Sequence, residues 1–228
     1  DEVLAGKDLH GRTALVTGGY SGLGRETARA LAARGAHIIL AGRDTTKLSA
    51  ASDEIADQTG ATIDTLVCDL ASLDSVRAAA KEALQRFDKI DLLINNAGLA
   101  LGTAPAHQAD LAQWQQMIDT NINGLIAITH KLLPRLVERK GAIINLSSVA
   151  ATYPYAGGNV YGGTKAFVQQ FSLGLRSDLH GTGVRVTSIE PGMVETEFTF
   201  VRTGSQDASD TLYGGADPMT GGDIAQTL

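Results

Sequence analysis

Two side chains capable of acid–base chemistry, Tyr161 and Lys165, stand four positions apart in an apolar segment with helical periodicity, residues 160–180. Residues at this spacing are neighbours on one face of a helix, so the sequence predicts an ammonium beside a phenol. The positive charge would lower the phenol pKa from its usual value of about 10 and make Tyr161 an acid or base near neutral pH. The same pair also occurs by chance on many helices, so other parts of the chain must decide between the two interpretations.

A glycine-rich turn, residues 18–24, lies between the apolar, β-branched run 13–17 and a helical pattern. Glycines let backbone N–H groups approach a pyrophosphate, whose charge is stabilised by the positive end of the following helix. An ordinary turn is the alternative, but the strand before it and the helix after it favour dinucleotide binding. The predicted cofactor contacts in this turn are Gly18, Ser21, Gly22, Leu23 and Gly24.

The second predicted strand, residues 37–41, ends at Gly42, Arg43 and Asp44, where an adenosine ribose would lie. A carboxylate at this point accepts hydrogen bonds from a ribose 2′-hydroxyl, whereas an arginine suits a 2′-phosphate. Because Gly42 carries no carboxylate and Arg43 follows it, the sequence favours NADP over NAD. Alternatively, Arg43 is a solvated loop residue and Asp44 caps the next helix, or Asp44 pairs with Arg43 and weakens the preference.

Strands alternate with helices along the chain, with further strands predicted at 63–67, 92–94, 142–146 and 184–189. This order predicts an α/β fold: a single Rossmann-type, doubly wound parallel sheet with helices on both faces, in one domain spanning 1–228. Ligands of such sheets bind outside the carboxyl ends of the strands. The motifs at these ends are Asp69 and Leu70, then Asn95, Ala97 and Gly98, then Ser148, and finally Pro191 and Gly192. Each motif alone could be a helix cap or a turn. Because all of them lie at the same edge of the predicted sheet, the sequence favours a ligand-binding site there.

Two segments depart from regular periodicity. Asn121 lies inside the helical pattern of residues 114–139, where an asparagine competes for backbone hydrogen bonds and predicts a bend and a bound water. Residues 193–222 show little periodicity and follow the sixth strand, so they are predicted to be a long loop that acts as a substrate lid. Asp223 is predicted to begin another helix.

Composition narrows the classes of partner. The 43% hydrophobic content of 228 residues provides a large core, and no apolar run approaches the roughly 20 residues of a membrane span. A net charge of -6 argues against nucleic-acid binding. The single cysteine, Cys68, has no cluster of metal ligands beside it and cannot form an internal disulfide. The chain shows no export signal at its start, and a cytoplasmic location is predicted.

The order and spacing of these motifs resemble those of the classical short-chain dehydrogenases/reductases, over nearly the whole chain. The motifs are Thr17-Gly18-x-x-x-Gly22-x-Gly24, Asp69, Asn95-Asn96-Ala97-Gly98, Asn121, Ser148, Tyr161-x-x-x-Lys165 and Pro191-Gly192. The family separation of 13 residues between serine and tyrosine selects Ser148 over Ser147. The resemblance implies that Tyr161 transfers a proton while Lys165 lowers its pKa and binds the nicotinamide ribose. It also implies that Ser148 binds the carbonyl oxygen and Asn121 positions a water, with Val194 and Thr196 as further cofactor contacts.

Within that family, residues 95–198 look like the NADP-dependent 3-hydroxy acid dehydrogenases that act on serine and L-allo-threonine, whereas residues before Asp44 are more similar to the retinol-dehydrogenase-like branch. Predicted substrate contacts are Ser148, Tyr155 and Arg202. Arg202 is the only basic residue after Met193, so lid closure could place its fork on a substrate carboxylate; a solvated loop arginine is the alternative. Rival functions are a broad ketone or aldehyde reductase and a non-catalytic dinucleotide sensor that binds a partner protein.

The family resemblance also implies a further helix and a seventh strand after Asp223, which the sequence does not contain. Members of the family often use that strand in a subunit interface, and the long helices after Trp114 and Val160 provide another. The sequence is therefore expected to form a homodimer or a homotetramer.

Overall fold

The computed structural model of the protein describes residues 6–215 and 217–227. Residues 1–5 and 228 of the predicted domain, and residue 216 of the predicted lid, lie outside the described residues. Six parallel strands form one sheet in the order β3-β2-β1-β4-β5-β6. The strands are β1 (Thr13–Thr17), β2 (His37–Gly42), β3 (Ile63–Val67), β4 (Leu92–Asn95), β5 (Ala142–Leu146) and β6 (Arg185–Ile189). The predicted Rossmann-type parallel sheet is confirmed, and the strand order reverses between β1 and β4, where such folds bind their ligands.

Helices cover both faces of this sheet, as predicted. They are α1 (Gly22–Ala32), α2 (Thr45–Thr59), α3 (Leu73–Arg86), α4 (Leu111–Ile118), α5 (Leu125–Arg139), α6 (Asn159–Asp178), α7 (Phe198–Thr203), α8 (Gln206–Tyr213) and α9 (Gly221–Thr227). Apolar residues of α1, α2 and α9 form one buried cluster with the strands. Those of α3, α5 and α6 form the other, on the opposite face.

Local capping signals in the sequence fix the bounds of α2 and α3. The Asp44 carboxylate accepts a hydrogen bond from the Lys47 N–H at 3.0 Å and begins α2, while Gly60, with a φ of 70°, ends it. Ser72 begins α3 in the same way by accepting from the Ser75 N–H. Asp44 is therefore a helix cap, as one of the two interpretations of the sequence proposed.

The helical segment around Asn121 is not one continuous α-helix. Residues Asp119–Gly124 form a π-helical segment between α4 and α5, so the predicted helix 114–139 changes its hydrogen-bond register where Asn121 lies. The Asn121 Oδ1 accepts from the Leu99 N–H at 2.7 Å, and its Nδ2 donates to the Leu99 carbonyl and to Thr164 Oγ1. Asn121 thereby joins the loop after β4 to helix α6.

The predicted long loop at 193–222 is wrong in its secondary structure, because α7 and α8 lie within it. Helices of six and eight residues are too short to give a clear periodic pattern. A backbone bridge between Val194 and Met219 closes the base of the segment. Beyond it, α9 packs Ile224 against the core on the α1 side, which confirms the helix predicted around Asp223.

Two structural properties bear on possible partners. No helix in residues 6–215 and 217–227 is long and apolar enough to cross a membrane. In the same described residues, no group of three His, Cys, Asp or Glu side chains is arranged to hold a metal ion.

An ion cluster closes the amino-terminal edge of the sheet. Asp91, whose exposed fraction is 1%, accepts hydrogen bonds from the Thr13 N–H, from Arg12 at 3.1 Å and from Arg139 at 3.0 Å. Burial alone would raise the pKa of this carboxyl, but these donors outweigh it and hold the pKa below its usual value. Asp91 therefore contributes stability that is present above the unfolded-state pKa of about 4 and is lost as the pH falls through the lower folded-state pKa.

Replacing Asp91 with asparagine should lower the free energy of unfolding by about 2 kcal/mol at pH 7, because two charge-assisted hydrogen bonds lose their anion. The difference should shrink as the pH falls below about 4, where Asp91 of the unfolded wild-type chain begins to bind a proton, and should be lost below the lower folded-state pKa. Urea unfolding of both proteins across this pH range measures the effect. A difference that stays constant with pH would contradict the assignment.

Candidate active site

A cleft of about 910 Å³ runs along the carboxyl ends of the strands, beneath α7 and α8. Most of the residues predicted to form the site line it: Gly18, Ser21, Gly22, Leu23, Arg43, Asp69, Leu70, Ala97, Gly98, Ser148, Tyr155, Tyr161, Lys165, Pro191, Gly192, Val194, Thr196 and Arg202. Three predicted residues, Gly24, Asn95 and Asn121, do not. The topology thus brings motifs that are far apart in sequence to one edge of the sheet.

The glycine-rich turn after β1 has the geometry of an anion site. Gly18 has a φ of 64°, a conformation that side chains disfavour. Ser21 begins α1 without a side-chain cap, and the first turn of α1 contains no acidic residue, so its N–H groups face the cleft uncapped. A Cβ at Gly24 would overlap the Gly18 carbonyl, so Gly24 serves the close packing of turn and helix rather than contact with a ligand. The turn fits a pyrophosphate.

The prediction of Asn95 as a cofactor contact is not supported by its position. Its Nδ2 donates to Thr129 Oγ1 at 2.9 Å and to Asn145 Oδ1 at 2.8 Å, deep in the protein. Asn95 lies two residues after Leu93 and shares its face of the strand, so the alternation of side chains along β4 was a signal for this burial. The neighbouring Asn96 instead donates to the carbonyls of Thr17 and Gly18 and holds the glycine-rich turn in place.

Thr17 is a site residue that the sequence analysis quoted only within a motif. Its Oγ1 donates to the Ile94 carbonyl and accepts from the N–H groups of Asn96 and Ala97, at 3.1 Å each. This one hydroxyl joins the ends of β1 and β4 at the point where the strand order reverses. Other lining residues that were not predicted from the sequence include Tyr20, Lys47, Thr103, Thr120, Tyr153, Phe198 and Tyr213.

Tyr161, Lys165 and Ser148 meet at the centre of the cleft. Tyr161 and Lys165 are buried on one face of α6, as their spacing predicts. The Lys165 Nζ donates to the Leu146 carbonyl at 2.8 Å and lies 5.8 Å from the Tyr161 ring centroid. Ser148 follows β5, and its hydroxyl lies close enough to the Tyr161 phenol to lower the pKa of that phenol. Since an ammonium has three N–H donors, Lys165 keeps two for a ligand.

The pKa prediction for Tyr161 is wrong for this structure. Burial raises the pKa of Tyr161 to about 12, against the opposing effects of the Ser148 hydroxyl and the Arg202 charge. Burial also lowers the pKa of Lys165 to about 8. The charge of Lys165 predicted a lower pKa for the phenol, but the removal of each group from water has the larger effect. At neutral pH the phenol therefore holds its proton, and the amine is mostly an ammonium.

Arg202 is held inside the site rather than solvated. From the carboxyl-terminal part of α7, its Nε donates to the Gly102 carbonyl at 3.1 Å, while its two terminal nitrogens donate to the Tyr155 hydroxyl at 2.6 Å and the Gly157 carbonyl at 2.9 Å. The guanidinium carbon lies 5.3 Å from the Tyr155 ring centroid and 5.7 Å from that of Tyr161. These contacts join α7 to the loops at 102 and 155–157 across the cleft.

The opposite end of the cleft is positively charged. Arg43 is exposed and lines it, and no hydrogen bond or ion pair joins Arg43 to another described residue. Asp44 is engaged as the cap of α2 and does not pair with Arg43. The Cys68 thiol is buried in the wall of the cleft. Burial raises the pKa of this thiol to about 12, so the thiol remains protonated.

A glycine-rich turn at a helix N-terminus, a cleft at the reversal of strand order, and a buried phenol beside an amine and a hydroxyl define a dinucleotide-dependent oxidoreductase. Residues 12–206 match the family model described as short chain dehydrogenase. The chain belongs to the short-chain dehydrogenase family.

Known proteins from that family resemble almost the entire chain. A serine 3-dehydrogenase from Rhizobium radiobacter is 57% identical over 217 residues, which cover 95% of this chain and 86% of that protein. An NADP-dependent 3-hydroxy acid dehydrogenase from Salmonella typhi is 46% identical and covers 94% of this chain and 86% of its own length. The solved closed form of a serine dehydrogenase complexed with NADP+ superposes with a TM-score of 0.86 at 44% identity, covering 94% of this chain and 86% of that one.

Proposed function

We propose that the protein transfers a hydride between NADP and the hydroxyl-bearing carbon of a short 3-hydroxy acid. Its family makes it an oxidoreductase, and the similar proteins include a serine 3-dehydrogenase and an NADP-dependent 3-hydroxy acid dehydrogenase. The observation that carries the substrate class is the guanidinium of Arg202, which lies against the Tyr161 ring. A cation at this position suits a substrate that bears a carboxylate.

Three residues carry the chemistry in this proposal. The nicotinamide, when bound, supplies or accepts the hydride. Tyr161 holds its proton at neutral pH and donates it to the substrate oxygen during reduction; during oxidation the phenol first loses its proton to solvent, and the phenolate then accepts the proton of the substrate hydroxyl. Ser148 donates a hydrogen bond to the same oxygen and stabilises the charge that develops there. Lys165 places its two remaining N–H groups toward the ribose hydroxyls and keeps positive charge near the phenol.

Asn121 is proposed to act indirectly. Both N–H groups of its amide and one lone pair of Oδ1 are engaged by Leu99 and Thr164. The predicted proton-relay water is therefore proposed to bind the backbone carbonyl in the π-helical segment or the second lone pair of the Asn121 Oδ1. Its hydrogen bond to Thr164 also fixes the position of α6 at the residue that precedes Lys165.

The carboxylate of the substrate is assigned to Arg202. A guanidinium has five N–H donors, and three are engaged by Gly102, Tyr155 and Gly157. Two N–H groups remain, one on each terminal nitrogen, which is the number that a bidentate carboxylate requires. No acidic side chain of the described residues lies within ion-pair distance of Arg202, so an incoming anion meets no competing partner. An unpaired carboxylate in a closed cleft would be strongly disfavoured.

Residues 193–222 are proposed to be the substrate lid. Their base is fixed by the bridge between Val194 and Met219 and by the Tyr213 hydroxyl, which donates to the Val194 carbonyl at 3.0 Å. The Arg202 contacts hold α7 over the cleft at the other end. Opening the lid requires breaking these contacts. Arg202 is therefore proposed both to hold the lid closed and to bind the substrate carboxylate.

The adenosine end of the cofactor is assigned to the other end of the cleft. The glycine-rich turn lines the cleft, as do Asp69, Leu70, Ala97, Gly98, Pro191, Gly192, Val194 and Thr196. Arg43 supplies the positive charge for a 2′-phosphate. Its lack of a partner among the described residues leaves all its donors available.

Replacing Arg43 with alanine should raise the dissociation constant for NADPH by about 10–100-fold, because hydrogen bonds to a charged phosphate contribute roughly 1.5–3 kcal/mol. Binding of NADH, which has no 2′-phosphate, should change little. Titrations that follow cofactor fluorescence measure both constants. Equal losses for the two cofactors would assign Arg43 a structural role instead.

A substrate comparison tests the proposed function. The purified protein is assayed with NADP for oxidation of serine, other short 3-hydroxy acids, and the amide of each acid, which has the same size without the charge. A preference of at least about 100-fold in kcat/KM for the acids supports the proposal. Equal rates with acids and amides would favour the broad reductase, and cofactor binding without any turnover would favour the sensor.

The proposed assembly is a homodimer or homotetramer, in a cytoplasmic location. Exposed apolar side chains, Leu111, Ile126 and Leu173, lie on α4, α5 and α6, the helices predicted to form an interface. Gly163 and Gly174 leave open space on the outer face of α6, which permits the close approach of a second helix. Light scattering of the purified protein tests this, and a monomer at micromolar concentration would contradict it.

A further inference from the structure

The Tyr20 side chain fills a position that the fold leaves to another residue. A Cβ built on Gly42 at the end of β2 would lie within 2.5 Å of Tyr20 Cδ1 and closer still to Cε1. Real side chains do not approach this closely, so the ring stands in the space that a side chain at position 42 would need. Tyr20 is half-buried and packs against the core on the α2 side, which holds the ring in this place.

Position 42 lies where a carboxylate would accept hydrogen bonds from a ribose 2′-hydroxyl. Because the ring occupies this position and packs against the core, a carboxylate at residue 42 would have to displace the ring. The same ring lines the cleft, next to Gly42 and Arg43. Tyr20 therefore shapes the part of the cleft that distinguishes the two cofactors.

A second cation faces the same end of the cleft. Lys47 lies in the first turn of α2, is exposed, lines the cleft, and forms no ion pair or side-chain hydrogen bond with the described residues. The nearby Asp44 directs its carboxylate to the Lys47 backbone N–H. Arg43 and Lys47 together present two cations to the cleft that Tyr20 and Gly42 also line.

We propose that Tyr20 is a cofactor-selectivity residue: its ring excludes any side chain at position 42 and, with Arg43 and Lys47, forms a pocket for the 2′-phosphate of NADP. The inference goes beyond the proposed function, on whose use of NADP it rests. An adenine-stacking platform is the other role open to an aromatic ring at this place. Stacking would support NADH and NADPH equally, whereas the proposed role distinguishes them.

The steric part is tested without cofactor, by a double-mutant cycle on thermal stability. Gly42→Ala should lower the Tm by about 3–8 °C in the wild-type background, because the new methyl group overlaps the ring. In the Tyr20→Ala background the same substitution should change the Tm by less than about 1 °C. Gly215→Ala, at an open position after α8, is the control and should have the same effect in both backgrounds. Equal effects of Gly42→Ala in both backgrounds would overturn the proposal.

The selectivity part is tested by binding titrations with NADH and NADPH. Gly42→Asp alone should not tighten NADH binding, because the carboxylate cannot occupy its position. Tyr20→Ala/Gly42→Asp should bind NADH at least about tenfold more tightly than Gly42→Asp does. A single Gly42→Asp variant that gains NADH as strongly as the double variant would overturn the proposal. Equal losses of both cofactors in Tyr20→Ala would do the same and assign the ring to adenine stacking.

The cation is tested by Lys47→Ala, which should weaken NADPH binding about tenfold and leave NADH unchanged, with Lys47→Arg retaining most of the affinity. Lys81→Ala, an exposed position on α3, is the matched control and should affect neither cofactor. Unchanged NADPH binding in Lys47→Ala would overturn the two-cation pocket. If the wild-type protein binds NADH as tightly as NADPH, the proposed cofactor fails, whereas the stability cycle still tests the steric exclusion by itself.

Discussion

Tyr161→Phe should reduce kcat by at least about 10³-fold while the dissociation constant for NADPH changes by less than about threefold. The substitution removes the only proton that the buried phenol can transfer, and general acid–base catalysis typically contributes 10²–10⁴ in rate. It removes one oxygen atom and leaves the ring, so α6 and the cleft keep their packing. Steady-state kinetics with a 3-hydroxy acid and a cofactor titration give the two quantities.

Tyr153→Phe provides the matched control, because Tyr153 lines the same cleft but its side chain is exposed. This variant should retain most of the wild-type rate. If Tyr161→Phe also keeps a tenth or more of the wild-type kcat, the phenol is not the proton donor. A large loss of NADPH affinity would instead indicate that the substitution disturbs the site.

Arg202→Ala is expected to lower kcat/KM for a 3-hydroxy acid by at least about 100-fold, mainly through KM. Truncating one partner of a buried, hydrogen-bonded charge pair typically costs 2–5 kcal/mol, since the other charge is left unpaired. The neutral amide of the same acid places no charge at this point, so its kcat/KM should fall much less. Kinetics with the acid and the amide, measured side by side, give the ratio.

The lid contacts of Arg202 require a separate control. Tyr155→Phe removes the hydroxyl that accepts a hydrogen bond from Arg202 and leaves the guanidinium in place. It should therefore affect the acid and the amide to the same, smaller extent. Parallel losses for both substrates in Arg202→Ala would mean that the residue only holds the lid closed, and the assignment of a carboxylate site would fail.

Much of the fold could be predicted from the sequence because local signals and burial agree. The strands at 13–17, 63–67 and 142–146 match the structure, and the first and last of them are buried along their whole length, as a sheet covered on both faces requires. Helices α2 and α3 begin at capping side chains, Asp44 and Ser72. The interruption at 119–124 was foreseen only as an irregularity at Asn121, because the apolar pattern continues through it. Helices α7 and α8 were missed since they are short and partly exposed.

The placement of the site residues could be predicted, because it depends on which residues follow the ends of the strands. Their pKa values and packing contacts were harder to predict, because these depend on burial. The carboxyl ends of parallel strands must share one edge, which places Ser148, Tyr161 and Lys165 in one cleft. Burial, which reverses the expected pKa shift of Tyr161, depends on contacts far apart in sequence. The packing of Tyr20 on Gly42 could not be predicted from the sequence either, because neither residue belongs to a pattern that indicates a contact between them.

Label transfer gives the most direct test of the central claim that a hydride moves between the substrate carbon and NADP in this cleft. The protein is incubated with NADP+ and a short 3-hydroxy acid that carries deuterium at its hydroxyl-bearing carbon, and the reduced cofactor is analysed by mass spectrometry. We expect NADPH that carries the deuterium, formed in proportion to the oxidised acid and absent with Tyr161→Phe. Reduced cofactor without the label, or oxidised acid without reduced cofactor, would contradict it.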